Sequence, residues 1–119
     1  MKGSIMKRIL YLIFLLIAFV TAANCFAQEY NQRAVSFNNK GVEYDKRGQP
    51  DEAVDAYQKA IECDPAYPDP YYNLSLMFYG QADYAKAAQM LERAVQLKPK
   101  YPEAHFQLGD TYLKLNRME

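Results

Sequence analysis

The sequence lacks tryptophan and contains only one histidine, two cysteines and five glycines among its 119 residues. One histidine and two cysteines do not supply the ligand clusters from which metal sites are built, and no spacing with carboxylates completes one. The few glycines do not form a phosphate-binding loop. No metal and no cofactor is therefore expected.

The chain also lacks an excess of charge of one sign, since it has 14 basic and 14 acidic residues. The first 27 residues carry three of the basic residues and none of the acidic ones, so the remainder has 11 basic and 14 acidic residues and a formal net charge of −3. Charges of both signs are interspersed, as on a solvated helix surface. No nucleic-acid partner is expected, because a basic stripe is missing.

The N-terminal segment has the pattern of a signal peptide. Lys2, Lys7 and Arg8 accompany an unbroken apolar run of twelve residues, 9–20. This length suits the core of a signal peptide and falls short of the roughly 20 residues that a membrane span needs. We therefore predict a signal peptide over residues 1–27 and an exported protein, either periplasmic or secreted.

The cleavage point has alternatives. Residues 25–27 place small side chains at both ends of a cleavage motif, so that the cut would follow Ala27. Cleavage after Ala23 fits as well. An uncleaved segment would instead anchor the chain in the membrane through residues 9–23, and lipid modification of Cys25 is a weaker option.

A set of residues recurs along the rest of the chain at a step of 34 positions. Ala53 recurs as Ala87, and Pro65 recurs as Pro99. Further members of the set are Asn39/Asn73, Ala60/Ala94, Tyr67/Tyr101, Gly41/Ser75/Gly109, Tyr44/Phe78/Tyr112 and Phe37/Tyr71/His105. A period of this length is typical of stacked helical hairpins, none of which can bury its apolar face alone.

The period divides the chain into units. A polar leader, 28–33, precedes two full units, 34–67 and 68–101, and a partial unit, 102–119. Each full unit is predicted to hold two helices, and the partial unit one. A helical bundle without repeats does not explain why small and large residues keep the same order at one step.

Proline and aspartate mark the predicted helix starts. Pro50 suits the first turn of the second helix, because its missing N–H costs nothing there. Asp69 is predicted to cap the third helix, with Pro70 at its first position, and Asp83 to cap the fourth. Pro102 opens the last helix.

The small residues predict close contacts between helices. Glycine inside a helix costs about 1 kcal/mol relative to alanine, so Gly41 and Gly109 indicate positions where a neighbouring helix comes near. On this pattern the last helix should bury His105, Leu108, Gly109 and Tyr112.

These residues resemble the tetratricopeptide repeat family, whose pattern of large apolar residue, Leu-Gly, Tyr, Ala, aromatic or Leu, Ala and Pro spans 34 residues. The matching residues are Phe37, Gly41, Tyr44, Ala53, Tyr57, Ala60 and Pro65, then Tyr71, Leu74, Ser75, Phe78, Ala87, Leu91, Ala94 and Pro99, then Leu108, Gly109 and Tyr112. The resemblance covers residues 34–119 and implies an all-α fold, an α–α superhelix of about two and a half repeats. The sequence departs from the family pattern at Lys40, where leucine is usual. It departs again in the third unit, whose single helix either caps the array or leaves a face for a partner.

The resemblance also implies a concave groove, lined by the first helices of successive units, in which the family binds peptides. The groove residues carried over by position are Asn38, Val42, Asp45, Tyr72, Asn73, Leu76, Tyr79, Phe106, Asp110 and Leu113, flanked by Val35, Lys46, Asp69, Glu103 and Lys114. An aromatic centre inside a charged rim is a common plan for protein interfaces. For Tyr72, Tyr79 and Phe106, packing between helices is the alternative role.

One branch of the family holds the C-terminal carboxylate of chaperones with Lys, Arg and Asn side chains. The matching positions here are Asn38, Val42, Asn73, Glu103 and Gln107. Only Asn73 agrees, and Glu103 would repel a carboxylate, so a chaperone-tail clamp is not expected. Asn39, Asn73 and Gln107 share one repeat position and would either bond a peptide backbone or join helices.

No catalytic residue is predicted. His105 takes an apolar repeat position and is interpreted as a packed substitute for an aromatic residue. Cys63 takes an apolar position late in a helix and is interpreted as a buried, inert thiol. No nucleophile comes with a recognisable base.

The sequence thus predicts a non-catalytic scaffold that binds a protein or peptide segment and is exported or attached to a membrane. The alternative function is a structural piece that forms a homo-oligomer through residues 102–119.

Overall fold

The computed structural model describes the backbone of residues 2–118 and the side chains of residues 2–22 and 31–117. That backbone contains five helices and no strand. The helices are α1 (Lys2–Lys46), α2 (Pro50–Cys63), α3 (Asp69–Gly80), α4 (Tyr84–Leu97) and α5 (Pro102–Met118). The chain divides into two compact units, Met1–Tyr30 and Asn31–Glu119, which are described separately.

The first unit consists of the N-terminal part of α1. Its segment Lys2–Ala22 is long and apolar enough to cross a membrane, with a mean hydropathy of 2.1, and its large apolar side chains are exposed. A signal sequence meets the same criterion. Length therefore does not separate a signal from an anchor. The predicted cleavage motif, residues 25–27, lies outside the side chains that are described.

The second unit begins with a hairpin of α1 and α2. After α1 ends at Lys46, Gly48 turns the chain with a φ of 72°, which glycine adopts without strain. Pro50 lies in the first turn of α2, as predicted. The buried ring of Tyr57 lies so close to Gly41 that a Cβ atom on this glycine would be 2.5 Å from the ring.

α3 and α4 form the second hairpin. Ala82 turns the chain between them with a left-handed φ of 59°. Asp83 caps α4, as predicted, because its side chain accepts a backbone N–H three residues later at 3.2 Å. The predicted cap at Asp69 is wrong. Pro68 takes that position, since its carbonyl accepts the N–H of Tyr72 at 3.3 Å, and Asp69 lies in the first turn near the positive end of the helix.

Two apolar clusters hold these helices together, one between the two hairpins and one between the second hairpin and α5. The first contains Ala53, Tyr57 and Leu74, and the second contains Tyr71, Leu91, Ala94, Tyr101 and Ala104. Ile61 and Met90 are half-buried and pack against both clusters. Each hairpin therefore depends on its neighbour for part of its core, as in a solenoid.

α5 packs against α4 through a face that carries the buried residues Ala104 and Thr111. The prediction that His105, Gly109 and Tyr112 would be inside is wrong, because all three are exposed. In the first hairpin the corresponding face of α1 is covered by α2, whereas no further helix covers this face of α5 within residues 2–118.

Candidate functional site

The first helices of the three predicted units are linked side by side. Nδ2 of Asn73 on α3 donates to Oδ1 of Asn38 on α1 at 2.9 Å. The hydroxyl of Tyr79 on α3 donates to the carboxylate of Asp110 on α5. We call the surface of α1, α3 and α5 that carries the sequence-assigned groove residues the inner wall. Its members are Asn38, Val42, Asp45, Tyr72, Asn73, Leu76, Tyr79, Phe106, Asp110 and Leu113.

Three apolar side chains of the inner wall are exposed. The exposed fraction is 79% for Phe106, 59% for Leu113 and 40% for Leu76. Val42, by contrast, is half-buried and packs against the first core cluster. The apolar exposure is therefore concentrated on α3 and α5.

The two tyrosines of the inner wall each contact a neighbouring ring, and Tyr72 also packs against the second core cluster. The ring of Tyr72 lies 5.2 Å from that of Tyr101, with an interplanar angle of 43°. The ring of Tyr79 meets that of Tyr84 edge-on at 5.1 Å. Both Tyr72 and Tyr79 are half-buried, so each offers part of its surface and is held in place by a neighbouring ring.

The asparagines form an internal pair. Asn38 is only 6% exposed, and its Oδ1 is occupied by Asn73. This hydrogen bond links the first helices of two successive repeats. Asn73 is half-buried, so it is the more accessible member of the pair.

A group of tyrosines surrounds Asp69 at the edge of the inner wall. Burial, and after it the Asp69 carboxylate, raises the pKa of Tyr67 to about 12 and that of Tyr101 further still. Tyr67 and Tyr101 were not among the predicted site residues, although they share one repeat position. That recurrence was the available signal, but only the folded chain places them beside Asp69.

The inner wall combines aromatic, apolar, amide and carboxylate side chains. Among the described residues, no group of three His, Cys, Asp or Glu side chains could hold a metal ion. His105 is exposed, and its Nε2 lies 2.8 Å from the carbonyl oxygen of Pro99, so the packed position expected for it is wrong. Cys63 is a free thiol that is half-buried, which corrects the prediction of full burial.

Family models match the chain at three overlapping places. Tetratricopeptide repeat models match residues 34–67 and 56–89, and a TPR repeat model matches residues 76–116. No curated protein matches the sequence.

Solved structures share this fold. The first TPR of Spaghetti (RPAP3), bound to the HSP90 peptide SRMEEVD, is 30% identical; the match covers 73% of this chain and 71% of that one, with a TM-score of 0.68. The second TPR of Spaghetti, bound to the same peptide, is 24% identical, covers 76% and 84% of the two chains and has a TM-score of 0.71. The N-terminal domain of stress-induced protein-1 (STI-1) from C. elegans is 23% identical, covers 73% and 74%, and has a TM-score of 0.66. The expected all-α superhelix is confirmed, and the chain belongs to the tetratricopeptide repeat family.

Proposed function

We propose that the inner wall holds an extended segment of a partner protein and that the chain is a non-catalytic interaction module. The observation that supports this most directly is the exposure of Leu76, Phe106 and Leu113 on helices whose opposite faces are packed in the core. Core packing does not require these side chains. Exposed apolar anchors among polar groups are typical of protein interfaces.

The family relationship supports a peptide as the guest. The first TPR of Spaghetti, which is 30% identical to this chain, is solved with an HSP90 peptide bound. We transfer to this chain the class of ligand, a peptide, and not that particular peptide. Its sequence SRMEEVD contains three acidic residues, whereas the inner wall carries Asp45 and Asp110 and is flanked by Glu103.

The tyrosines are suited to act as fixed contact surfaces. Tyr72 and Tyr79 are held by the neighbouring rings of Tyr101 and Tyr84. Binding therefore immobilises few side chains that were free before, and little conformational entropy is lost. A guest that lies along α3 would meet both rings.

The test of this proposal compares two faces of α5 in the full-length chain, purified in detergent. Phe106→Ala with Leu113→Ala removes the exposed anchors of the inner wall, and Tyr112→Ala removes an exposed aromatic side chain outside it. We expect the double variant to weaken capture of native partners by roughly tenfold or more, as for interface anchors, and the control to retain it. Unchanged capture by the double variant would contradict binding at the inner wall.

We further propose that residues 1–27 direct export, either as a cleaved signal peptide or, through residues 9–23, as an anchor. The apolar helix Lys2–Ala22 supports both forms. The N-terminal residue of the native protein and its distribution between soluble and membrane fractions distinguish them. A native chain that keeps Met1 and stays soluble without detergent would contradict both forms.

Self-association is the second candidate function, and the open face of α5 favours it. A Cβ atom on Gly109 would meet nothing within 4 Å, and Tyr112 beside it is 41% exposed. A second copy could cover this face. A mass measurement of the full-length chain over a range of concentrations tests the idea, and a monomer at every concentration rules it out. A dimer that Gly109→Lys dissociates would support it.

A further inference from the structure

We propose that the guest of the inner wall is a basic segment that carries lysine or arginine side chains beside its apolar residues. This inference rests on the proposed peptide-binding function and names the chemistry of the ligand. Its basis is the distribution of charge on the inner wall and its flanks. The acidic side chains there are Asp45, Asp69, Glu103 and Asp110, and the basic ones are Lys46, Lys114 and, over the ring of Tyr101, Lys98.

These acids have no lysine or arginine partner in the described part of the chain. The ion pairs found there are Glu43–Arg47, Asp55–Lys59 and Asp83–Lys86, each within one helical turn and each outside the inner wall. Asp110 accepts the hydroxyl of Tyr79, and Asp69 lies beside the hydroxyls of Tyr67 and Tyr101. A neutral hydroxyl leaves the negative charge of a carboxylate in place, together with several of its acceptor sites.

Aromatic rings lie next to these carboxylates. The ring of Tyr101, beside Asp69, also contacts that of Tyr72 on the inner wall. The ammonium group of Lys98 lies 4.4 Å from the centroid of the Tyr101 ring, so a lysine of the chain itself already uses an aromatic face at this edge. Tyr101 is buried and its ring is already covered by Lys98, so the aromatic faces left for a guest cation are those of the half-buried Tyr72 and Tyr79. Tyr79 is bonded to the carboxylate of Asp110, which places an aromatic face and a negative charge together there.

The same arrangement disfavours acidic guests. A peptide such as SRMEEVD, which is bound by the first TPR of Spaghetti, would bring three acidic residues towards four carboxylates of this chain. Like charges placed opposite each other suppress the wrong partner, and this selectivity is strongest at low ionic strength.

The experiment uses three labelled peptides of one length with the same leucine and proline residues. Their variable positions are all lysine, all glutamine or all glutamate. Binding to the full-length chain is measured by fluorescence anisotropy in a non-ionic detergent. At low salt we expect the lysine peptide to bind about tenfold more tightly than the glutamate peptide, and the difference should shrink as added salt screens the charges.

Matched variants locate the effect. Asp69→Asn with Asp110→Asn removes two charges from the inner wall and its flank, and Glu52→Gln with Glu62→Gln removes two charges from exposed positions of α2. We expect the first pair to weaken binding of the lysine peptide by about five- to tenfold and the second by less than about twofold, because only close charges act strongly. Circular dichroism confirms that both variants fold.

The outcomes separate this inference from the function on which it rests. A glutamate peptide that binds as tightly as the lysine peptide overturns the basic guest, but peptide binding stands if Phe106→Ala with Leu113→Ala abolishes it. Equal losses in the two charge variants, or no binding of the lysine peptide, also overturn the basic guest. If every substitution on the inner wall leaves binding of the lysine peptide unaffected, the result contradicts both the basic guest and peptide binding at the inner wall.

Discussion

Gly41 on α1 and Gly109 on α5 occupy the same position of the 34-residue repeat, but their surroundings differ. A Cβ atom on Gly41 would lie 2.5 Å from the buried ring of Tyr57, whereas a Cβ atom on Gly109 would meet nothing within 4 Å. The first hairpin has a second helix to fill the space above its glycine, and α5 has none within the described residues. A repeat position thus sets the shape of one helix face, and the neighbouring helix decides whether that face becomes core.

The largest effect should come from the aromatic residues of these two regions. Tyr57 is 2% exposed, so Tyr57→Ala should lower the free energy of unfolding by about 3–5 kcal/mol. Phe106 on α5 is 79% exposed, so Phe106→Ala should change it by less than about 0.5 kcal/mol. Urea unfolding of the full-length chain, followed by circular dichroism, measures both. Equal losses would show that Phe106 is covered in solution.

The two glycines should respond to alanine with opposite signs. At Gly41 the clash with Tyr57 costs about 1–3 kcal/mol and exceeds the gain in helix propensity, so stability falls. At Gly109 there is no clash, and Gly109→Ala should raise stability by up to about 1 kcal/mol. The same unfolding measurement compares them. A loss at Gly109 would mean that another helix approaches it closely.

The turns of the first and second hairpins give a smaller contrast. Gly48 and Ala82 share one repeat position, with φ values of 72° and 59°. Gly48→Ala should therefore lower the free energy of unfolding by about 1 kcal/mol, and Ala82→Gly should raise it by about 0.5 kcal/mol, because only glycine is unstrained there. Melting temperatures of the two variants provide the measurement. A higher melting temperature for Gly48→Ala, or a lower one for Ala82→Gly, would contradict the left-handed φ at these positions.

The last effect is absent at neutral pH and appears only in alkali. Burial, with a smaller contribution from Asp45, raises the pKa of Tyr57 to about 12, above its unfolded value of 10.0. The Tyr57 hydroxyl therefore stays protonated to a higher pH in the folded chain than in the unfolded chain. Its contribution to stability is complete below about pH 10 and is lost as the pH rises to about 12.

Tyr57→Phe should reduce the slope of stability against pH in this range. Some slope should remain, since the pKa of Tyr67 is raised in the same direction. On α5, Tyr112→Phe is the matched change, because that exposed tyrosine has its pKa raised mainly by its hydrogen bond to Glu92. Unfolding curves at several alkaline pH values compare the variants. If the slope of stability against pH is unchanged in Tyr57→Phe, the pH dependence does not come from Tyr57.

The candidate site could be predicted only in part. Repeat position identified the helices that carry Tyr72, Tyr79 and Phe106, but not their contacts. The bond between Asn38 and Asn73 joins residues 35 positions apart, and that between Tyr79 and Asp110 joins residues 31 apart. Such pairs depend on how far each repeat rotates against the next, which a pattern within one repeat does not specify.

By itself, the sequence determined the family, the all-α fold and the helix breaks near Gly48 and Asp83, because spacing, turn residues and caps act locally along the chain. The tertiary structure alone decided which of these faces were covered. It buried Tyr57 over Gly41 and left Gly109 and Tyr112 exposed to solvent, because burial depends on a second helix lying against the first.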